Sequence, residues 1–258
     1  MSGHRFFVSP ENSTDFQVGE VVSLQLDPQA FHHATRVLRL RQGERIETVL
    51  RDVWTTYQCE IIKFSKDSIL AHVIEEISTT ELPVKFDLFW GYAKGDKNER
   101  IVRQAVEVGC ARLVPVQFVR CDVRFDKDRA EKKQVRLQAI AESAAMQAHR
   151  SIIPTVEQVQ SFDSLVDSLS EYDASIVAWE QAQGPSLSQV VDEALRTEPK
   201  RVALIIGPEG GIERSEIDML IECDVRLSGM GDSILRVETA CVVACGILAD
   251  RIRTYNLS

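Results

Sequence analysis

The chain of 258 residues is 44% hydrophobic and 27% charged, the composition of an ordinary soluble globular protein with room for one large core or two modest ones. The first ten residues contain no apolar signal-peptide core, and the longest uncharged apolar stretch, Thr239 to Ala249, is too short to cross a bilayer. The six cysteines show no C-x-x-C pairing, which predicts reduced thiols in a cytoplasmic protein and no metal site.

Residues 1–80 predict a small β-barrel. Short β-branched runs recur near ten-residue spacing, as is typical of compact all-β domains, and they are Val18–Leu24, Arg45–Leu50, Thr56–Ile62 and Ser68–Ile74. Between the first two runs, Phe31–Leu40 has a helical pattern, because Ala34, Val37 and Leu38 can share one face. We therefore expect a barrel with one inserted basic helix.

Strand and helix patterns alternate in residues 81–258, after a boundary near residues 79–83. The predicted strands are Val84–Tyr92, Arg112–Phe118, Ile152–Val156, Ala174–Ala178, Val202–Ile206 and Val225–Leu227. The predicted helices are Asn98–Val108, Lys127–His149, Phe162–Leu169, Leu187–Leu195 and Glu238–Arg253. This alternation predicts an α/β domain with a mostly parallel sheet and helices on both faces.

The net charge of −9 is unevenly distributed along the chain. Residues 157–258 carry 8 basic against 18 acidic side chains, whereas residues 94–136 carry 12 basic against 7 acidic ones. Residues 32–51 hold five arginines against two glutamates, with His32 and His33 at their start. Two basic segments, one of them rich in arginine, favour a nucleic-acid partner, although each alone is also compatible with an ordinary solvated surface.

The segment Gly207–Gly211 follows a strand-like run and precedes a helix-like one. It carries Glu209 and no lysine, and it matches neither of the common phosphate-binding glycine patterns. A carboxylate among glycines that allow close backbone approach suits a ligand with hydroxyl groups or positive charge, such as a ribose or a sulfonium. The simpler alternative is a strand-to-helix turn with a surface glutamate.

A second segment, Gly229–Ala240, adds an apolar wall around Met230 and then the opposite charges of Arg236 and Glu238. Side by side, the two segments predict a pocket at the carboxyl edge of a parallel sheet. Simpler roles are again available, because Glu238 can charge the start of the last helix and Arg236 can be only an ion-pair partner.

The segments Ile206–Gly211 and Ile234–Ala240 resemble the RsmE family of ribosomal RNA methyltransferases, members of the SPOUT superfamily. The resemblance extends along nearly the whole chain. Its further points are Arg5–Val8, His32–His33, Arg36–Leu40 with Gly43, Lys94–Lys97 with Glu99, and Gln147–Arg150 followed by Pro154. The chain departs from the family pattern at Ser233, where a basic residue is usual, and at Met146, where an acidic residue is usual.

The resemblance implies a PUA-like RNA-binding barrel over residues 1–80 and a SPOUT methyltransferase domain over residues 81–258. That domain would contain a deep trefoil knot, which general topology rules argue against. The resemblance further implies S-adenosylmethionine as cofactor, a homodimer with the active site at the subunit interface, and methylation of N3 of one uridine in small-subunit (16S) ribosomal RNA. Because the target base must be unstacked, we expect a loop or an assembled subunit as substrate and no membrane partner.

Arg236 is the candidate catalytic residue, because a guanidinium near the methyl group would stabilise the charge that builds on the uracil oxygens when N3 loses its proton. No residue is an evident general base. The candidate cofactor-binding residues are Trp179, Glu180, Ile206, Gly207, Pro208, Glu209, Gly210, Gly211, Leu227, Ser228, Gly229, Met230, Ile234, Leu235, Glu238, Thr239 and Ala240. For Trp179, closing the core at a strand end is an equally good role.

The candidate RNA-binding residues are basic side chains of both predicted domains. They are His32, His33, Arg36, Arg39, Arg41, Lys94, Lys97, Arg120 and Arg150, joined by Arg45 and Arg103. Ordinary histidines of the barrel are the alternative for His32 and His33.

Other functions stay open at this point. A SPOUT enzyme that methylates a ribose 2′-hydroxyl of transfer RNA would carry a Ser-Leu-Asn-Val-Ser-type run before the last helix, whereas this chain has Ile234–Thr239 there. A non-catalytic RNA-binding relative would not bind S-adenosylmethionine, which a calorimetric titration tests. A nucleotide-dependent dehydrogenase is disfavoured by the missing glycine fingerprint and by Glu209.

Overall fold

A computed structural model describes residues 4–10, 15–51, 55–123 and 127–255. The chain forms two compact units, the first made of residues 1–81 and 145–152 and the second of residues 82–144 and 153–258. The inclusion of residues 145–152 in the first unit is not visible in the sequence pattern, because contacts between residues far apart in the chain decide it.

The first unit contains a closed five-stranded barrel. Its strands are β1 (His4–Pro10), β2 (Val21–Gln25), β3 (Arg45–Leu50), β4 (Thr56–Phe64) and β5 (Ser68–Ile77). Strand β1, which the strand patterns above omit, pairs antiparallel with β2 and parallel with β3, and these pairings close the ring. Apolar side chains from all five strands fill the barrel, among them Phe6, Leu24, Ile46, Ile61 and Ile69.

A short helix α1 (Pro28–His32) and a π-helical turn (His33–Val37) occupy the region of the predicted basic helix. The carboxylate of Asp27 caps α1 by accepting two backbone hydrogen bonds at 2.8 and 2.9 Å. Arg39 then takes a left-handed conformation with φ of 54°, which ends the helical run. The helical run therefore begins and ends three residues earlier than its sequence pattern predicts, and it is less regular.

The second unit contains a seven-stranded parallel sheet. Its strands are β6 (Lys85–Gly91), β7 (Arg112–Gln117), β8 (Thr155–Val156), β9 (Gln160–Ser161), β10 (Ala174–Ala178), β11 (Arg201–Ile206) and β12 (Arg226–Ser228). The spatial order is β12-β10-β11-β6-β7-β8, with β9 also paired to β7. The central strands are nearly continuous runs of buried apolar residues, as expected for a parallel sheet that is covered on both faces.

The helices that accompany this sheet in the described residues are α2 (Lys97–Val108), α3 (Lys127–Gln147), α4 (Phe162–Ser168), α5 (Leu187–Leu195), α6 (Arg214–Glu222) and α7 (Val237–Tyr255), together with a short 3₁₀ turn at Leu169–Glu171. Helix α7 contacts α2, α5, β6 and β11, while α4 contacts α6 and β7. The apolar side chains of α4 and α6 share a core with alternate residues of β7, β10 and β11. The mixed α/β architecture expected from the sequence is therefore present.

A buried carboxylate joins three strands at the amino edge of the sheet. Asp87 is 1% exposed, and its Oδ2 accepts hydrogen bonds from Arg112 (3.0 Å), Arg201 (2.7 Å) and the hydroxyl of Tyr172 (2.6 Å). Burial, together with the hydrogen bond to Asp87, raises the pKa of Tyr172. Because each buried charge is paired, this network stabilises the edge of the sheet opposite the cavity described next.

Candidate active site

A cavity of about 490 Å³ opens at the carboxyl edge of the sheet. Four adjacent strands, in the order β12-β10-β11-β6, are each followed by a segment that contributes to its wall. These segments begin at Trp179 after β10, at Gly207 after β11 and at Gly229 after β12, while Lys97 opens α2 after β6. Since parallel strands all end at the same edge, residues far apart in the sequence meet in one cavity.

The segment Gly207–Gly211 lines the cavity, and its glycines lie close to neighbouring residues. Gly211 has a φ of 74°, which favours glycine. A Cβ atom added at residue 211 would also clash with the carboxylate of Glu180. A Cβ atom at Gly210 would lie 2.7 Å from the backbone oxygen of Arg120. Glycine is therefore required at both positions, once for its conformation and once for its size.

Lys97 and Glu209 form an ion pair on the cavity wall. The hydrogen bond from the Lys97 ammonium to Glu209 raises the pKa of Lys97, so the lysine stays charged. Lys97, which was predicted to bind RNA, thus has its charge engaged by Glu209 on the cavity wall. The segment around Glu209 contains no lysine. The lysine that pairs with Glu209 comes instead from the segment that follows β6.

Asn98 fixes the turn that leads to Lys97. Its side chain is buried, and Oδ1 accepts hydrogen bonds from Trp90 Nε1 (3.0 Å) and from the Ala93 amide (3.1 Å). Its Nδ2 donates to the Ala93 carbonyl at 2.7 Å. The position of Lys97 thus rests on a buried polar clamp, which the sequence analysis missed because asparagine near a helix start carries no distinctive signal.

The start of the second loop is anchored by backbone hydrogen bonds. The Gly229 amide donates to the Pro185 carbonyl (3.2 Å), and the Gly229 carbonyl accepts from the Leu187 amide (3.0 Å). Beyond this anchor, residues 230–237 line the cavity. Ile234 is 89% exposed, so the loop presents an apolar side chain to solvent at the cavity mouth.

Arg236 lies on the cavity wall directly before α7. Its side chain is exposed and forms no hydrogen bond or ion pair with any other residue that the structure describes. The charges of Arg236 and Glu238 both act on Lys97, which places the three side chains near one another. Among the described residues, Arg236 therefore has no partner for the simpler ion-pair role.

The cavity wall contains most of the residues predicted to bind a cofactor, namely Trp179, Glu180, Ile206, Gly207, Pro208, Glu209, Gly210, Gly211, Met230, Ile234, Leu235 and Ala240. It also contains residues that the sequence analysis left out, namely Ala178, Gly231, Asp232, Ser233 and Val237. Most of these residues lie in the same segments as the predicted ones, so they could have been predicted by including each whole segment.

Five predicted residues are not on the wall, and they are Leu227, Ser228, Gly229, Glu238 and Thr239. Ser228 is fully buried and its hydroxyl donates to the Val177 carbonyl at 3.1 Å, because it ends β12 inside the sheet. Ser228 therefore lies inside the sheet and not on the cavity wall. Glu238 lies in the first turn of α7, where its negative charge interacts favourably with the positive end of the helix dipole.

The wall chemistry fits an adenosyl sulfonium compound. Apolar side chains such as Ile206 and Leu235 suit a purine ring, and the carboxylates of Glu180 and Glu209 suit ribose hydroxyls and positive charge. Trp179 is 6% exposed, belongs to the core, and has an indole N–H without a hydrogen-bond partner among the described residues. Trp179 therefore combines both roles considered for it, since it closes the core and also lines the cavity.

The basic side chains predicted to bind RNA on the first unit are exposed, with one exception. His32, His33, Arg36, Arg39, Arg41 and Arg45 all lie at the surface. Neither histidine belongs to the barrel core, so the alternative role considered for them is wrong. On the second unit, Lys94, Arg103 and Arg120 are also exposed, although Arg120 forms a 3.4 Å ion pair with Glu213.

The exception is Arg150, which is 4% exposed. Its guanidinium donates to both carboxylate oxygens of Glu81, at 3.0 Å from Nε and 2.5 Å from Nη2. The same carboxylate accepts the Ser151 amide at 2.8 Å. A buried guanidinium needs a paired charge, and Arg150, which was predicted to bind RNA, has that charge in Glu81.

The cysteines of the last helix lie in the core. Cys241 and Cys245 are fully buried on α7, and burial raises the pKa of both thiols well above the usual value. Within residues 4–10, 15–51, 55–123 and 127–255, no group of three or more potential ligands could hold a metal ion. Over the same residues, no helix has the length and apolar character needed to span a membrane.

Family models match both parts of the chain. A model described as the RNA methyltransferase domain matches residues 80–249, and one described as the RNA methyltransferase PUA domain matches residues 26–74. The first match covers the sheet and every segment of the cavity wall.

Individual proteins are similar over nearly the full length. Ribosomal RNA small subunit methyltransferase E of Bacillus subtilis is 32% identical over 248 residues, which are 95% of each chain. A hypothetical protein of known crystal structure has a TM-score of 0.85 and 31% identity, over 97% of this chain and 99% of the other. The enzyme of the same name from Neisseria gonorrhoeae, crystallised with S-adenosylmethionine, has a TM-score of 0.78 and 27% identity, over 96% and 97%. The chain therefore belongs to the family of RNA methyltransferases that includes ribosomal RNA small subunit methyltransferase E.

Proposed function

We propose that this protein transfers the methyl group of S-adenosylmethionine to N3 of a uridine in small-subunit ribosomal RNA. The observation that carries the proposal is the cavity itself. Glycine-rich segments close it at the carboxyl edge of the sheet, carboxylates lie on its wall, and Arg236, which has no partner among the described residues, lies at its rim. Family membership and the names of the relatives support ribosomal RNA as the substrate class.

The residues on the cavity wall indicate how the cofactor would bind. Met230 and Leu235 would pack against the adenine ring, and the carboxylates of Glu180 and Glu209 would accept hydrogen bonds from ribose hydroxyls. The Lys97 ammonium holds Glu209 in a fixed position for that contact. When bound, S-adenosylmethionine supplies a methyl group on a positively charged sulfur.

The remaining task of the protein is to prepare uridine N3. A neutral N3 carries a proton and is therefore a weak nucleophile. Loss of that proton makes N3 nucleophilic and places negative charge on the flanking carbonyl oxygens. The guanidinium of Arg236 would donate hydrogen bonds to one of these oxygens and stabilise the charge. The proton would pass to water, since the cavity is open at this rim.

RNA binding is assigned to the basic side chains of both units. On the first unit, the exposed group from His32 to Arg45 would contact phosphates, in keeping with a match to a PUA model that starts at residue 26. On the second unit, Lys94, Arg103 and Arg120 are exposed and would also contact phosphates. Phosphate contacts of this kind position an RNA without reading its sequence.

Finer features of the family belong to the same proposal. A deep trefoil knot is supported by the strand order, in which β11 lies between β10 and β6 while α7 contacts both β6 and β11. A homodimer is supported by the outer face of α7, where Val243 is 40% exposed and a Cβ atom at Gly246 would meet open space. We also propose that the protein works in the cytoplasm on an assembled small subunit, where ribosomal RNA is folded and accessible.

The test is the identity of the methylated nucleoside. Small subunits from cells that lack this protein are incubated with the purified protein and S-adenosylmethionine, and the RNA is digested and analysed by mass spectrometry. We expect 3-methyluridine. Appearance of 2′-O-methyluridine instead would favour the ribose-methylating alternative, and absence of product together with absence of cofactor binding would favour a non-catalytic RNA-binding protein.

A further inference from the structure

A second groove lies beside the cofactor cavity. It is lined by Trp179, Glu180, Gln181, Ala182, Gln183 and Arg214, and it has a volume of about 680 Å³. Trp179 and Glu180 line both spaces, so the groove and the cavity share a wall. Neither the family resemblance nor the candidate residues named above assign a role to Gln181, Gln183 or Arg214.

Arg214 forms a stacking platform at the side of this groove. Its guanidinium carbon lies 5.6 Å from the centre of the Trp179 ring, and its Nε donates to Asp218 at 2.9 Å. The side chain is nevertheless 69% exposed. One part of the planar group is thus held by its neighbours while another part is open to a ligand, as in sites where an arginine stacks on a base.

Gln181 and Gln183 supply uncommitted amide groups on the same segment. Both are exposed, and neither side chain hydrogen-bonds to any residue that the structure describes. The segment that carries them is fixed, because the Ala182 amide donates to the Trp179 carbonyl at 3.1 Å and Pro185 accepts from Gly229. Each glutamine offers a donor and an acceptor, the combination that reads the edge of a nucleobase.

The charges of the groove favour a base over a phosphate. Arg214 is its single cation, and it is already paired with Asp218, while Glu180 adds a further negative charge. A phosphate would therefore meet little free positive charge and two carboxylates. A neutral base would instead find a stacking surface and two amides.

We infer that this groove binds an unpaired RNA base adjacent to the uridine that is methylated. The inference rests on the proposed function, because it assigns the groove to the same RNA. It makes Arg214, Gln181 and Gln183 residues that determine which nucleotide may flank the target. The His32–Arg45 group, in contrast, would bind the backbone of any sequence.

The test compares Arg214→Ala, Arg214→Lys and the double variant Gln181→Ala/Gln183→Ala with the wild type. Arg196→Ala and Gln158→Ala are matched controls, since both positions are exposed and Arg196 lies at the opposite edge of the sheet, before β11. Methylation of unmethylated small subunits gives kcat/KM. Calorimetry gives the Kd for S-adenosylmethionine, and a fluorescent RNA oligonucleotide that spans the target uridine gives the Kd for RNA.

We expect each groove variant to lower kcat/KM and to weaken oligonucleotide binding about tenfold, as for loss of a base contact, with an unchanged Kd for the cofactor. Arg214→Lys should fail like Arg214→Ala, because lysine keeps the charge but not the planar stacking surface. Changing the bases beside the target uridine should weaken binding to the wild type and leave the groove variants unaffected.

Three results would overturn the inference. Groove variants that bind and methylate RNA like the controls would show that the groove does not contact RNA. A loss confined to cofactor affinity would make the groove part of the cofactor site. Full activity of Arg214→Lys would indicate a phosphate contact instead of a base contact. Failure of the wild type to methylate any subunit would count against the proposed function instead, and a retained RNA Kd difference would still support the groove.

Discussion

Lys97 and Glu209 are separated by 112 positions in the sequence, yet their side chains form an ion pair on the wall of one cavity. The two residues follow β6 and β11, which are neighbours in the parallel sheet. A glutamate among glycines would by itself make the cavity strongly acidic. The lysine from the adjacent strand end removes that excess charge while leaving the carboxylate oxygens in place as hydrogen-bond acceptors.

Loss of Lys97 should weaken cofactor binding and have little effect on binding of RNA. Lys97→Met removes the ammonium that orients Glu209, and we expect the Kd for S-adenosylmethionine to rise about tenfold, as for loss of a charge-assisted hydrogen bond. Calorimetry measures the change. Lys94→Met is the control, since Lys94 is exposed on the same turn, and equal effects of the two substitutions would contradict this assignment.

Removal of the Arg236 guanidinium should abolish methylation while cofactor binding is retained. We expect Arg236→Ala to lower kcat about 10²–10³-fold, the range for loss of one donor to a developing oxyanion. Arg236→Lys should recover part of the rate, because it keeps the charge. Single-turnover methylation measures the rate, and near-normal turnover of the alanine variant would remove Arg236 from the catalytic role.

Arg150 should behave as a structural residue. Arg150→Met leaves the Glu81 carboxylate without its charge partner, and we expect a loss of about 3 kcal/mol in the free energy of unfolding of the first unit. Urea denaturation followed by intrinsic fluorescence measures this loss. Arg41→Met, at an exposed position, should instead leave stability unchanged and weaken RNA binding with a smaller salt dependence. The reverse outcome would restore Arg150 to the RNA-binding set.

Asp87 should be important for the stability of the second unit. Asp87→Ala leaves the guanidinium groups of Arg112 and Arg201 without their shared carboxylate, and we expect a loss of about 3–5 kcal/mol in the free energy of unfolding. Asp218→Ala removes an exposed ion pair with Arg214 and should cost less than about 1 kcal/mol. A similar effect of both substitutions in urea denaturation would argue against a buried network.

Glu47 should give the first unit part of its acid sensitivity. Burial pulls the pKa of Glu47 up, but the hydrogen bonds from His149 and Arg5 outweigh it, so the pKa lies below the ordinary value of 4.5. A carboxyl group with a lowered pKa contributes stability above its unfolded-state pKa and loses that contribution as pH falls through the folded-state pKa. Glu47→Gln should therefore flatten the dependence of unfolding free energy on pH below about 4.5. An unchanged slope in urea titrations across this range would contradict the assignment.

Local sequence patterns predicted most elements of the second unit, although not β9 or α6, and the two segments that line its cavity. Buried runs between glycine-containing turns identify parallel strands, because a strand covered on both faces must be apolar throughout. The glycines of the first segment predict a tight turn after a strand, and Gly211 has a left-handed conformation there. These features depend on neighbouring residues, and a sequence pattern records them.

Only the tertiary structure decided which charges are used by the fold and which remain free. The same pattern of basic residues contains Lys97, which neutralises Glu209, Arg150, which is buried against Glu81, and Arg236, which has no partner among the described residues. The order of the strands brings these partners together. Because the energy of a charge depends on its surroundings in space and not on its neighbours in sequence, an arginine pattern alone cannot distinguish a structural ion pair from a catalytic group.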